Sequence, residues 1–87
     1  MLYNVVIDPP ALKELFKIKK GSPHVFSHLK KSIDSLAHDS MAGKPLKGSK
    51  KGCFSLREGD YRIIYEIYVK DKVIHIIAVG HRKEIYR

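Results

Sequence analysis

The sequence predicts an α+β domain in the order β-α-α-β-β-β, a helical hairpin packed on a mostly antiparallel sheet. Three observations predict it. Residues 61–87 hold two long runs rich in β-branched and aromatic residues around a polar Lys70–Asp71 step, a hairpin signal. Two stretches of helical spacing precede them, broken once by Gly21-Ser22-Pro23. A short alternating run opens the chain. With 87 residues there is room for one domain with a small core, residues 1–87.

Leu2 to Ile7 alternates, with Tyr3, Val5 and Ile7 on one side, and reads as the first strand. Asp8 is placed to cap a helix that begins at Pro9-Pro10, where missing N–H groups cost nothing. Leu12, Leu15 and Phe16 form its expected apolar stripe, and Gly21 its stop. Ser22-Pro23 starts a second helix with Val25 or Phe26, Leu29, Ile33 and Leu36 on one face. The short link makes the two helices antiparallel neighbours. His38 to Gly52 is irregular, and its Lys44, Lys47, Lys50 and Lys51 form either a solvated loop or a phosphate clamp; taken alone the stretch reads as solvated. Phe54 to Arg57 is a short strand, and Glu58-Gly59-Asp60 a tight turn.

A two-residue loop at Lys70 and Asp71 pairs Ile67 with Ile74, Tyr65 with Ile76, Ile63 with Ala78 and Tyr61 with Gly80 on an apolar face. The open face then carries Glu66 opposite His75 and Arg62 opposite Val79. This register aims Arg82 at the core, where an unpaired guanidinium is very costly. Arg62 and Arg82 share a face only if the last strand changes parity. A glycine bulge at Gly80 does this, and a three-residue turn does so only by spoiling the apolar ladder.

The charge balance narrows the partner. Seventeen Lys and Arg against nine Asp and Glu give a formal net charge of +8, and 11 of the cations lie from Lys44 onward. That bias favours a polyanion, nucleic acid first, because phosphate contacts supply most non-specific affinity. A single Cys53 excludes an internal disulfide and points to the cytoplasm; no apolar run spans a membrane. His24 and His28 stand i, i+4, but without a following Glu or third ligand they read as an exposed helix face, so no metal site and no cofactor are assigned. Cys53 reads as a small apolar residue and His75 as a structural partner of Glu66. What remains is Arg57, Arg62, Arg82, Arg87, the lysines and Tyr86. Two guanidiniums converging on one phosphodiester stabilise the extra charge of its pentavalent transition state, and a tyrosine beside them stacks on a base or accepts a proton. A plain binding face without catalysis stays open.

The step Lys47-Gly48, the segment Leu56-Arg57-Glu58-Gly59-Asp60-Tyr61-Arg62-Ile63-Ile64-Tyr65 and the ending Val79-Gly80-His81-Arg82-Lys83-Glu84-Ile85-Tyr86-Arg87 resemble the RelE branch of the RelE/ParE toxin superfamily. The resemblance covers nearly the whole chain. It implies a RelE/microbial-ribonuclease-like fold and a toxin that enters the ribosomal A site and cuts mRNA there, without metal, through the ribose 2′-hydroxyl. Its implied partners are the ribosome, mRNA and a cognate antitoxin that neutralises it in a hetero-oligomer. Carried over by position, Arg62 braces the scissile phosphate, Arg82 stabilises the transition state or leaving group, and Tyr86 stacks on or deprotonates the nucleotide. Lys47, Lys50, Lys51, Arg57, Lys83 and Arg87 grip RNA. The family often has two lysines in the strand before the turn; here those positions are Cys53 and Ser55, which leaves the general base unassigned. A ParE-like poison of DNA gyrase and a non-catalytic basic RNA-binding module are the alternatives.

Overall fold

The computed structural model describes residues 2–48 and 51–85. The first strand, β1 (Asn4–Ile7), leads into α1 (Pro9–Gly21) and α2 (Pro23–Ser35). Four strands follow: β2 (Lys44–Pro45), β3 (Phe54–Glu58), β4 (Tyr61–Tyr68) and β5 (Val73–His81). They form one five-stranded sheet in the order β1-β5-β4-β3-β2, with β1 parallel to β5 and every other pair antiparallel. The predicted α+β class and element order hold. The added strand is β2, which takes its place from the stretch expected to be a solvated loop.

One face of the sheet meets the helices. Ala11, Leu15 and Ile18 of α1 and Leu29 and Ile33 of α2 form a buried cluster with Leu36, Ile63, Tyr65, Ile74, Ile76 and Val79. The α2 face is as its spacing predicts, while the α1 stripe holds only at Leu15. Leu12 and Phe16 are 39% and 57% exposed, because α1 turns Ala11, Leu15 and Ile18 to the sheet instead. Asp8 does sit at the helix N-cap, yet its carboxylate makes no cap bond. It takes the Nε2 of His75 at 2.8 Å, tying the β1–α1 junction to β5; Glu66 stands at 3.9 Å on the other side of the ring.

The hairpin keeps the expected register at its tip, pairing Ile67 with Ile74, Tyr65 with Ile76 and Glu66 with His75. Lys72 N–H donates to the Val69 carbonyl at 3.3 Å across the Lys70–Asp71 turn. Then the parity changes, and earlier than Gly80. Ile64 pairs with Ala78, so Ile77 is the extra residue of a bulge. The place has a physical reason. β1 supports β5 only as far as Ile76, so from Ile77 onward β5 is an edge that absorbs an extra residue. Downstream, Val79 faces the core, Gly80 lies opposite Arg62, and Arg82 N–H donates to the Asp60 carbonyl at 2.8 Å. Ala78 and Gly80, expected on the core face, lie on the open one. Arg82, one residue past the end of β5, is exposed rather than turned into the core.

Tyr65 holds β2 in place. Its ring is fully buried and stacks on Phe54 at 5.5 Å. Its hydroxyl donates to the Ser40 carbonyl and accepts from Gly43 N–H, both at 2.9 Å. Burial, with a smaller contribution from Asp39, raises the phenol above its ordinary 10.0, while the Gly43 bond acts in the opposite sense. A raised acid favours the neutral form in the native state. Its stabilisation is complete below pH 10 and is lost as pH climbs through the higher native value. We expect Tyr65→Phe to cost about 1–3 kcal/mol at neutral pH by leaving the Gly43 N–H unpaired. It should also flatten the fall in urea midpoint above pH 10. Tyr68 is present in both proteins, so the difference between their pH curves isolates Tyr65, and an unchanged alkaline limb would contradict the assignment.

Candidate functional site

On the open face, β3 and β4 place Arg57 directly opposite Arg62. Like charges at that spacing repel, so the sequence spends stability to put two guanidiniums side by side. Arg57 Nε donates to the Gly59 carbonyl at 3.2 Å, which fixes one end of its fork. Nη1 of Arg62 is buried and has no hydrogen-bond partner. An orphaned cationic donor of this kind is costly unless an anion completes it.

Both arginines line a groove of about 530 Å³ whose other wall is β2, with Lys44, Pro45, Leu46 and Ser55 among its lining. β2 and β3 pair Lys44 directly with Ser55. The groove thus gathers an ammonium, a hydroxyl and two guanidiniums, and no Asp, Glu or His lines it among the described residues. Such an arrangement binds a phosphodiester and stabilises negative charge built up on it.

The other expected site residues divide. Arg82 sits just past the end of β5, half exposed, with Nε at 3.9 Å from the Asp60 carboxylate, and does not line the groove. An exposed pair of that length adds little stability and leaves the guanidinium available. The chain then turns back, with Glu84 and Ile85 N–H groups donating to the His81 carbonyl. Lys47, Lys51 and Lys83 are exposed and none lines the groove. Lys50, Tyr86 and Arg87 lie outside the described residues.

Lys44 lines the groove, although from the sequence it was named only among the loop lysines and given no place in the site. Its signal was Pro45, which forces extended backbone on the residue before it, and Gly43, which permits close approach to the sheet. A two-residue strand is too short to show alternation. His24 and His28 are exposed on α2 with their Nε2 atoms 3.2 Å apart, and among the described residues no three His, Cys, Asp or Glu side chains form a metal-holding group. Cys53 is half-buried.

Residues 5–86 match a family model described as the ParE toxin of type II toxin–antitoxin systems, parDE. The chain belongs to this family of toxins. Among curated proteins this toxin is similar to Toxin RelG of Mycobacterium tuberculosis, 32% identical over 89 residues that cover 100% of this chain and 99% of RelG. Among solved structures it is similar to the toxin–antitoxin complex RelBE2 from M. tuberculosis (28% identity, TM-score 0.83), covering 94% of this chain and 100% of that one. It is similar as well to a mutant of the E. coli toxin RelE in the free state (30% identity, TM-score 0.76), covering 99% of this chain and 90% of that one. The fold and the superfamily, RelE/ParE, agree with the reading of the sequence. No helix among the described residues is long and apolar enough to cross a membrane.

Proposed function

We propose that this type II toxin is a ribosome-dependent endoribonuclease that cuts mRNA in the A site by attack of a ribose 2′-hydroxyl on the adjacent phosphodiester. The observation that carries the reading is the Arg57–Arg62 pair lining an open groove of about 530 Å³, with the Nη1 of Arg62 buried and unpartnered. A guanidinium fork takes non-bridging oxygens bidentately and keeps its charge at every physiological pH. As the 2′-oxygen bonds to phosphorus the phosphoryl group gains a second negative charge, and Arg62 with Arg57 meets it in place. Arg82, at the strand end, faces the departing 5′-oxygen, and Tyr86 stacks on the nucleotide. A groove without a described carboxylate or imidazole suits a reaction in which the ribosome aligns the attacking oxygen, since alignment alone is worth about 7–11 kcal/mol in well-oriented systems.

An antitoxin partner fits the same reading. Relatives such as the RelBE2 and intact E. coli RelBE proteins are solved as toxin–antitoxin complexes. Here an apolar groove of about 310 Å³ runs between α1 and α2, lined by Leu12, Phe16, Phe26 and Ile33 and edged by Lys19 and by Lys30, which pairs with Asp34 of the same rim at 3.0 Å. An amphipathic antitoxin segment with acidic flanks complements it, apolar burial supplying affinity and charge supplying rate.

A second reading, a ParE-like gyrase poison, is kept because the matching family model is described as a ParE toxin. Induction of the toxin alone, with transcript 5′ ends and DNA breaks mapped together, separates the two. We expect growth arrest with new mRNA ends inside codons and intact DNA. Trapped DNA breaks with whole mRNA would replace the first reading with the second.

A further inference from the structure

We infer that Lys44 is a catalytic cation of this groove, an ammonium that holds a non-bridging oxygen of the scissile phosphate from β2 while Arg62 and Arg57 hold it from β4 and β3. The inference rests on the phosphodiester reading above and adds a residue to it.

Three observations converge on Lys44. It stands directly opposite Ser55, whose strand neighbour two residues on is Arg57, and Arg57 faces Arg62. The three cations therefore come from three successive strands and line one groove. Secondly, β2 is held in register. Gly43 N–H donates to the buried Tyr65 hydroxyl and Leu46 N–H donates to the Cys53 carbonyl, each at 2.9 Å, so Lys44 lies between two anchored residues. Pro45 adds to this by restricting the Lys44 backbone to extended conformations. Finally, no carboxylate among the described residues lines the groove to neutralise the ammonium, so the charge is left for a ligand.

Lys44 exchanges no proton in this scheme. The 2′-oxygen gives its proton to solvent water and forms the new P–O bond; the P–O5′ bond breaks, and the 5′-oxygen takes a proton from water. The products are a 2′,3′-cyclic phosphate and a 5′-hydroxyl. Between them the phosphoryl group passes through a doubly charged state, and an ammonium fixed beside two guanidiniums binds that state better than the singly charged substrate.

The pairing supplies its own test. Side chains directly opposite on antiparallel strands have Cβ atoms about 5 Å apart, so a lysine moved to position 55 reaches the same groove. In single-turnover cleavage on programmed ribosomes, Lys44→Ala should be slower by about 10²-fold, Lys44→Arg should retain most of the rate, and Lys44→Ala combined with Ser55→Lys should regain at least tenfold. Lys70→Ala, at the far hairpin turn, is the control. A second measurement uses a 2′-O-methylated RNA trinucleotide, which cannot be cut. Its affinity should lose about one unit of salt slope in Lys44→Ala and none in Lys70→Ala. Wild-type cleavage with an unslowed Lys44→Ala, or with no recovery from Ser55→Lys, overturns the role of Lys44 and leaves the nuclease reading standing. Absent cleavage by the wild type with a salt slope that still depends on Lys44 overturns the nuclease reading and keeps Lys44 as a phosphate ligand.

Discussion

Arg62→Ala is expected to abolish toxicity. It removes the guanidinium whose Nη1 is buried without a partner at the groove and which stands opposite Arg57. Loss of one preorganised donor to a developing oxyanion costs about 10²–10³ in rate, and Arg62 presents a fork of several. Stability should move the other way or not at all. Relief of the like-charge pair is worth about 0.2–1 kcal/mol in the variant's favour. A protein as stable as wild type that binds its antitoxin and no longer arrests growth is therefore the expected outcome. Full toxicity in a folded Arg62→Ala protein would remove the groove from the mechanism.

The second large effect lies away from the charges. A Cβ on Gly43 would stand 2.6 Å from the Tyr65 hydroxyl and 2.9 Å from the Ser55 carbonyl. The carbonyl belongs to β3 and cannot swing aside, so Gly43→Ala must push β2 off the sheet. Overpacking of this kind costs about 1–3 kcal/mol, and here it also moves Lys44 out of register. Cleavage should fall further than the lost stability explains. Gly21→Ala is the matched contrast: nothing lies within 4 Å of its added Cβ, and it occupies the exposed last turn of α1. There alanine should be neutral or stabilise by up to about 1 kcal/mol. Equal behaviour of the two variants, read by urea midpoints, would contradict the close-packed account of β2.

These contrasts show where the sequence was legible. Alternation in the last two strands set the hairpin register as far as Tyr65 and Ile76, because side chains there are apolar on one face and polar on the other. The requirement that Arg82 avoid the core forced a parity change, and that requirement was correct. Its position was misjudged because glycine at Gly80 is a local signal, whereas the bulge at Ile77 follows from where β1 stops, a tertiary fact. The α1 face was misread for a similar reason. Leu12 and Phe16 are more apolar than Ala11, but the close approach of α1 to the sheet selects the small residue, leaving the larger ones to edge the interhelical groove. For the site, Arg57 and Arg62 were legible singly as cations of the site, but their cross-strand pairing was not, since it depends on the β3–β4 register. Lys44 was hidden in a lysine-rich stretch whose two-residue strand becomes visible only through its hydrogen bonds to Tyr65 and Cys53.

The central claim is that this groove directs a 2′-hydroxyl onto the neighbouring phosphate of ribosome-bound mRNA. The most direct measurement programs ribosomes with mRNAs that carry a single 2′-deoxyribose at each position of the A-site codon in turn. The account predicts that one substitution, immediately 5′ of the cut, abolishes cleavage, and that the unsubstituted message ends in a 2′,3′-cyclic phosphate. Undiminished cutting of every deoxy-substituted message, or a product ending in a 3′-hydroxyl, would contradict it.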